Sequence, residues 1–371
     1  MKFSDVFEFK NKSGIKAGDG LEQGRYFFYA SSDEQTKFLN EYLFDGDALI
    51  FGTGGNASVH FTDNKFAVST DCLVAQPMDK KKTHAKFYYY FLRGNMRILE
   101  RGFKGAGLKH ISKSYISAIE LPKEDFVRQK TIVEILDQAD ALRQKRKQAI
   151  QLLDDFLRAT FLDMFGDPYK NPMKWKTAQL DEVCKEIYRY PTFYGFEYVE
   201  KGIPVVKIGN ILMNGFVNPD LSNYSFITEE INLRYPRTIL ERNDIVMAVR
   251  GDGSTVKRIG LVAHPNIVGA NISPNLLRFN PNQKIVSPFY LFMLVTSRSG
   301  QKMLEKYITQ TAKKTITATD IKQIKVPVPP LDIQFKFEKV FLAIQDLKEN
   351  TKQSMVQMDN QFNALTQRYF G

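Results

Sequence analysis

Three Asn-Pro pairs, Asn171-Pro172, Asn218-Pro219 and Asn280-Pro281, are the places where this chain could begin a loop that holds an adenine turned out of a duplex. Methyl transfer to such a base needs a second proline and then an aromatic ring to stack on it. The residues that follow are Met173, Asp220 and Asn282, so none of the pairs continues that way. Pro219-Asp220 is half of a nuclease motif, but no Glu-x-Lys follows at near spacing. Gly52-Thr53-Gly54-Gly55 lacks a following Lys and reads as a tight turn. No Gly-x-x-x-x-Gly-Lys-Ser/Thr phosphate loop occurs, so no motor is encoded. His60, His84, His110 and His264 show no metal-ligand spacing, and Cys72 and Cys184 lie far apart. That cysteine usage suits a reducing cytosol rather than a disulfide framework. The expectation is a chain with no catalytic residues, no bound metal and no cofactor of its own.

What remains is binding. The chain has 371 residues, 25% of them charged and 43% hydrophobic, with a formal net charge of +11. Such a surface favours polyanions: DNA, RNA or an acidic membrane face. No run of about 18 apolar residues is present, and Met1-Lys2-Phe3-Ser4-Asp5 is not a signal peptide, so a cytoplasmic protein without a membrane span is expected. On a nucleic acid, phosphates are met by Lys, Arg and backbone donors, and base edges by Arg, Asn, Gln or Lys. Candidates in the first part of the chain are Lys12, Lys16, Arg25, Asn56 and Lys65. In the second part they are Arg189, Lys207, Asn210, Arg250, Lys257, Arg258, Asn271 and Asn275. Arg250 and Lys257 flank the glycine loop Gly251-Asp252-Gly253-Ser254, where a bare backbone can approach a ligand closely. The basic run 143–147 reads equally as a contact to phosphates, a solvated helix face or a contact to an acidic partner.

The elements that must position these residues come in two copies. Residues 105–166 laid over residues 310–371 align without a gap, with 13 of 62 pairs identical. Among them are Ile111/Ile316, Ile116/Ile321, Ile119/Ile324, Pro122/Pro327, Gln129/Gln334, Leu142/Leu347, Asp154/Asp359, Ala159/Ala364 and the closing Phe165-Gly166/Phe370-Gly371. Self-similarity at one offset marks duplicated structural units. Within each copy the apolar residues step by three and four: Ile132, Ile135/Leu136, Ala139, Leu142, Ala149/Ile150, Leu153, Phe156/Leu157, Phe161 in one, Phe337, Val340/Phe341, Ile344, Leu347, Met355, Met358, Phe362, Leu365 in the other. This is a coiled-coil seam. Both seams turn polar near Arg146 and Thr351. Each helix should start after a proline, end before a glycine and run about 40 residues, or roughly 60 Å. Matched length and matched polar gaps predict that the two helices pair with one another.

The segments between the helices read as β-rich domains sharing one plan. Leu43-Phe44-Asp45-Gly46-Asp47-Ala48-Leu49-Ile50 parallels Leu240-Glu241-Arg242-Asn243-Asp244-Ile245-Val246-Met247, each an Asp-bearing turn that feeds an apolar strand. A glycine loop follows in both, and Ser69-Thr70 and Asn271-Ile272-Ser273 fall at like places. The β-rich pair has drifted much further than the helical pair.

This ordered repetition resembles the specificity subunit of type I restriction–modification enzymes. The carrying motifs are Trp175-Lys176…Leu180, the Leu-x-x-(Gly/Asn)-Asp strand start, Pro122…Gln129 with Pro327…Gln334, and the closing Phe-Gly. The first domain departs from it by lacking a Trp ahead of Phe3. The resemblance implies an α+β fold with two target-recognition domains, 1–104 and 167–309. They alternate with helical regions 105–166 and 310–371, which pair as an antiparallel coiled coil with a pseudo-two-fold. It implies a non-catalytic chain that reads a bipartite site in double-stranded DNA, its helices setting the spacer. It further implies two modification subunits carrying S-adenosylmethionine, and restriction subunits using ATP and Mg. A related two-subunit restriction enzyme, a silent donor of recognition domains, and a self-sufficient methyltransferase or nuclease are the alternatives.

Overall fold

A computed structural model describes residues 1–105, 109–190, 197–251, 257–309 and 314–371. They form two compact units, Met1–Ala149 with Thr351–Gly371, and Ile150–Asn350. The glycine loop expected after Arg250 lies, from residue 252 to 254, outside the described residues.

In the first unit, β1 (Phe7–Phe9), β8 (Cys72–Pro77), β5 (Ala48–Gly52) and β6 (Ser58–Thr62) form an antiparallel sheet in the order β1-β8-β5-β6. A second sheet, β3-β2-β7-β4, joins Lys37–Leu39 (β3), Tyr26–Tyr29 (β2), Lys65–Val68 (β7) and Phe44–Asp45 (β4), with β2 and β7 parallel. Strand side chains alternate between faces. Leu49 and Phe51 therefore enter one core with α1 (Ala85–Gly94), α2 (Met96–Glu100) and α3 (Lys113–Ser117), while Ala48 and Ile50 enter another with Tyr29 and Phe66 of the second sheet. Ile132, Val133 and Leu136 of α4 (Phe126–Phe165) and Phe362 of α10 (Leu331–Phe370) close the first of these cores.

The second unit repeats the plan. Its antiparallel sheet is β10 (Cys184–Arg189), β17 (Leu276–Pro281), β13 (Ile245–Ala248) and β15 (Ile259–Leu261), in that order along the sheet. Beside it β11 (Ile203–Val206) lies between β12 (Ser225–Ile227) and a parallel β16 (Asn271–Ile272). Short pairs join β9 (Thr177–Gln179) to β19 (Lys325–Pro327) and β14 (Arg250–Gly251) to β18 (Lys314–Thr315). Helices α5 (Leu180–Val183), α7 (Pro288–Thr296), α8 (Arg298–Glu305) and α9 (Ala318–Lys322) pack on the antiparallel sheet, and α6 (Glu229–Arg234) follows β12.

Register corrects one detail of the internal alignment. Leu49 opposes Ala75 and Phe61, as Ile245 opposes Phe279 and Leu261. Leu49 therefore corresponds to Ile245 and not to Val246. A one-residue slip would send each side chain to the wrong core. The turn residues that coincide are Asp47 and Asn243, both at positive φ (47° and 68°), a region that Asn and Asp tolerate.

Both long helices have 40 residues. Asp125 accepts from the N–H of Arg128 (2.8 Å) at the start of α4, and Gly166 ends it at φ +74°. Each start is clasped by a buried glutamine. The carbonyl of Gln129 accepts from His84 N–H (2.9 Å) while its amide donates to Glu124 O (2.8 Å) and Lys82 O (3.3 Å). Gln334 repeats this on Ser287 N–H (2.7 Å), Pro329 O (2.7 Å) and Ile285 O (3.3 Å). The spacing from proline to glutamine thus has a physical cause: the glutamine ties the helix start to the loop before α1 or α7.

Helix pairing is antiparallel in each unit. Arg143 Nε donates to Asp359 Oδ1 (2.6 Å) in the first, and Lys348 Nζ to Asp154 Oδ1 (2.6 Å) in the second. Arg143 and Lys348 are equivalent in the repeat, as are Asp154 and Asp359. Residue i meets j′ and j meets i′, the signature of a two-fold contact. Aromatic packing of Phe161 and Phe165 on Phe337 adds to it in the second unit (ring centroids 5.5 and 5.4 Å). Three expected seam residues turn outward instead: Leu142, Phe156 and Leu347 are exposed. Of the polar pair in mid-helix, Arg146 is exposed and Thr351 is buried.

Candidate nucleic-acid interface

One corner of the second unit gathers cations from four elements. Arg189 ends β10, and its Nε donates to Pro274 O (2.9 Å), which fixes the guanidinium. Arg250 opens β14 opposite Thr315, next to Lys314. Val249 N–H donates to Asn275 O (2.9 Å), which places the exposed Asn275 beside Arg250. Ser273 N–H donates to Val206 O (2.8 Å), which brings Lys207 to the same corner. Lys207 Nζ donates to Ser225 Oγ (2.6 Å) and lies 4.1 Å from the ring centroid of Tyr198. Burial, with the charge of Arg250 second, holds Arg189 below the usual guanidinium range. Two like charges this close, one half-buried, suit an anionic ligand that would relieve both.

The other candidates of this unit go elsewhere. Lys257 Nζ is held by Glu305 Oε1 (2.8 Å). With Arg258 it lines a groove of about 900 Å³ against Leu157 and Phe161 of α4 and Phe292 of α7. Asn210 and Asn271 turn inward. Asn210 Oδ1 accepts from Lys207 N–H (2.8 Å), closing a short turn, and Asn271, fully buried, donates to Asn232 Oδ1 (2.7 Å). Asn271 spends both polar groups on the scaffold, its Oδ1 also accepting from Ile272 N–H (2.9 Å), and Asn210 is buried, so neither is placed to present an edge to a base.

The first unit has a corner at the equivalent place. Thr53 N–H donates to Asp71 O and Ile111 N–H to Thr53 O, as Val249 does to Asn275 and Ile316 to Val249. Gly54 bridges His110 as Arg250 pairs with Thr315. Here Lys12 lines a groove of about 500 Å³ with Lys10, Asn11, His110 and Lys113. Lys16 is exposed close by, since Thr70 N–H donates to Ile15 O (2.8 Å). Asn56 lies in a separate groove with Asp33, His60 and Tyr89. Arg25 and Lys65 lie on the second sheet, where Lys65 Nζ is 3.4 Å from Tyr42 Oη and Tyr42 packs on Tyr26 (5.1 Å). Sequence reading missed Lys10, Asn11, Lys113, Lys314 and Tyr198. Lys314 was legible, because it is the repeat counterpart of Lys109; the others depend on strand pairing that no local pattern announces.

A family model for the type I restriction modification DNA specificity domain matches residues 1–152 and 172–356. The chain belongs to this family. The type I restriction enzyme EcoBI specificity subunit of Escherichia coli is 23% identical, over 98% of this chain and 82% of that one. The MjaVIII specificity subunit of Methanocaldococcus jannaschii is 25% identical, over 85% and 76%. The type I restriction–modification S subunit from M. genitalium superimposes with a TM-score of 0.60 at 15% identity, covering 100% of this chain and 95% of its own. A chain from a structure described as the basis of complex assembly and conformational transition of the type I system gives 0.56 at 14%, covering 100% and 96%. Those two likenesses show the fold. As a specificity-family member, the chain is a non-catalytic DNA-recognition subunit that works with other restriction–modification subunits. Among the described residues no helix is long and apolar enough to cross a membrane, and no cluster of His, Cys, Asp and Glu could hold a metal ion.

Proposed function

We propose that residues 1–104 and 167–309 each read one half of a split site in double-stranded DNA. Helical regions 105–166 and 310–371 keep the two half-sites at a set spacing and dock two modification subunits. The reading rests above all on two corners that are equivalent in topology and different in chemistry: Lys10, Asn11, Lys12 and Lys113 in one, Arg189, Lys207, Arg250, Asn275 and Lys314 in the other. A shared scaffold with unlike readers suits an asymmetric bipartite target. Arg25, Lys65, Lys257 and Arg258, which lie off the two corners, are assigned to phosphates, as is Lys16 beside the first corner; Asn56, in the separate groove with Asp33, is not assigned to DNA. S-adenosylmethionine belongs to the modification subunits, and ATP with Mg to restriction subunits; this chain carries neither. The assembly works in the cytoplasm, where its DNA is.

Replacing residues 3–104 by the recognition domain of another specificity subunit tests this. Sequencing the methylated sites should find one half of the target altered and the other half and the spacing retained. A change in both halves would refute separate reading. An insertion of four residues beside Arg146 tests the ruler: altered half-site spacing or loss of methylation is expected, and unchanged spacing with full activity would remove that role.

A further inference from the structure

The two units treat one sheet edge differently. In the second, β15 is the edge strand, and the chain covers it itself. Leu261 N–H donates to Gly215 O (3.0 Å), Val217 N–H donates to Leu261 O (3.1 Å), and Phe216 bridges Leu261 in parallel. Gly215 sits at φ +82° where a Cβ would come within 2.7 Å of the Phe292 ring, so the segment comes in close. Phe216 then packs on Phe292 and Phe341 (ring centroids 6.1 and 6.4 Å). This covering strand comes from the 18 residues, 207–224, that link β11 to β12.

In the first unit the same link, from β2 to β3, is the seven residues 30–36. It is too short to supply a strand. The equivalent edge, β6, has no backbone partner on its outer side among the described residues. Along it runs a groove of about 880 Å³, lined by Ala57, Ser58 and His60 of the edge, by Tyr89, Arg93 and Met96, and by Asp140 of α4. Ser58 is 3% exposed, yet its hydroxyl has no hydrogen-bond partner. A buried hydroxyl left unsatisfied is costly, and so is an open strand edge. Tyr89 corresponds to Phe292, the ring on which Phe216 packs, so the aromatic floor is kept while the aromatic that covers it is absent.

We propose that this groove takes an extended segment of a protein partner, entering as a further strand along β6 with an aromatic side chain on Tyr89. Strand addition at an exposed edge supplies main-chain hydrogen bonds, and a side-chain pocket supplies selectivity. The carboxylates of Asp33, Glu100 and Asp140 line the same groove. Arg93 and Lys109 line it too, with Arg93 paired to Asp140 (3.7 Å), which leaves Asp33 and Glu100 to disfavour a phosphate backbone and to favour a segment carrying a basic residue beside its aromatic. The occupant rests on the proposed assembly with modification subunits, but the open edge does not.

Hydrogen exchange of the full-length chain tests it in four states: alone at two concentrations, with target DNA, and in the purified complex with its modification subunits. Exchange in residues 57–62 should slow at least tenfold in the complex and be unchanged by DNA. Met96→Arg, which fills the groove with a charge, should weaken assembly at least tenfold while DNA binding by the chain and its circular dichroism stay as in wild type. Unchanged exchange in a complex shown to be intact would overturn the proposal. Protection by DNA alone would make this a nucleic-acid surface, and protection that rises with chain concentration would make the occupant a second copy; either would also overturn it. Failure of any complex to form would instead strike at the proposed function.

Discussion

The two reciprocal ion pairs look alike in sequence but should differ in energy. Lys348 has a side chain only 7% exposed, and its partner Asp154 is 33% exposed. Arg143 and Asp359 are 24% and 45% exposed, and Arg143 has a second carboxylate in Asp140 (3.0 Å) and the ring of Phe362 at 4.7 Å. Asp154→Ala strands an ammonium that is almost buried. Breaking a buried pair costs about 3–5 kcal/mol; water reaching the half-open Asp154 site lowers this to about 2–3 kcal/mol. Asp359→Ala leaves Arg143 paired and partly solvated, so its cost stays below about 1 kcal/mol. The gap of at least about 1 kcal/mol is roughly fivefold or more in the unfolding equilibrium. Trp175, the only tryptophan, lies in the second unit with its indole N–H on Phe165 O (3.0 Å), so urea unfolding followed by its fluorescence reports on the Asp154 variant directly. Far-UV circular dichroism serves for Asp359→Ala. Replacing both members of the buried pair, with Lys348→Met and Asp154→Ala together, should recover most of the loss. Equal losses for the two aspartates, or a double variant as unstable as Asp154→Ala, would refute the argument from burial.

Gln129→Ala and Gln334→Ala each leave one N–H and two carbonyls of a buried clasp without their partner, so each should cost about 2–3 kcal/mol in thermal unfolding, and nearly equally. Arg189→Ala should cost about 1–3 kcal/mol of binding and relax one position of the second half-site, read by methylated-site sequencing, if its fixed fork meets a guanine. Lys65→Ala should weaken all sequences alike and lower the salt slope of binding by about one. His60 and His84 both have imidazoles held below their usual range, burial being the main cause. The unfolded chain therefore binds protons more readily, and the first unit should lose stability as pH falls below about 6.5. Exchanging both for Gln should flatten that limb of a pH series of urea midpoints; an unchanged limb would assign it to other groups.

The helices were legible because their residues meet copies of one another. Gln129/Gln334 and Asp154/Asp359 are identical pairs, and Arg143/Lys348 is a like-charged pair. Each makes the same contact in both halves, so its type is constrained twice. The seam was less legible at Leu142, Phe156 and Leu347, since periodicity tells which face a residue occupies but not how wide the covered stripe is. The recognition domains were legible as a plan and not as sites. Asp47 and Asp244 were matched by letter, yet Asp47 occupies a turn while Asp244 is a buried acceptor for Arg278 Nε (2.6 Å) and Asn280 (2.9 Å). The first unit has Ala48 and Val74 at the positions of Asp244 and Arg278. Asn271 misled for a related reason: an asparagine beside a strand satisfies a scaffold as readily as it reads a base.

That contrast bears on how two unlike readers can share a chain. The contacts that repeat, the glutamine clasps and the crossed ion pairs, involve the long helices, and they hold each recognition domain to its helix and each helix to the other. The contacts that do not repeat lie in the sheets and their corners: Arg278 with Asp244 against Val74 with Ala48, Arg250 against Gly54, and an 18-residue link against seven. A domain attached through the repeated contacts alone can change its corner, its core polarity and even its covered edge without disturbing the helix pairing. Exchange of a recognition domain should therefore succeed when the cut lies inside the repeated contacts and keeps both glutamines and both aspartates. A donor domain whose loop before its first helix cannot offer the backbone carbonyl and N–H that Gln129 takes from Lys82 and His84 should fail in folding before it alters any specificity.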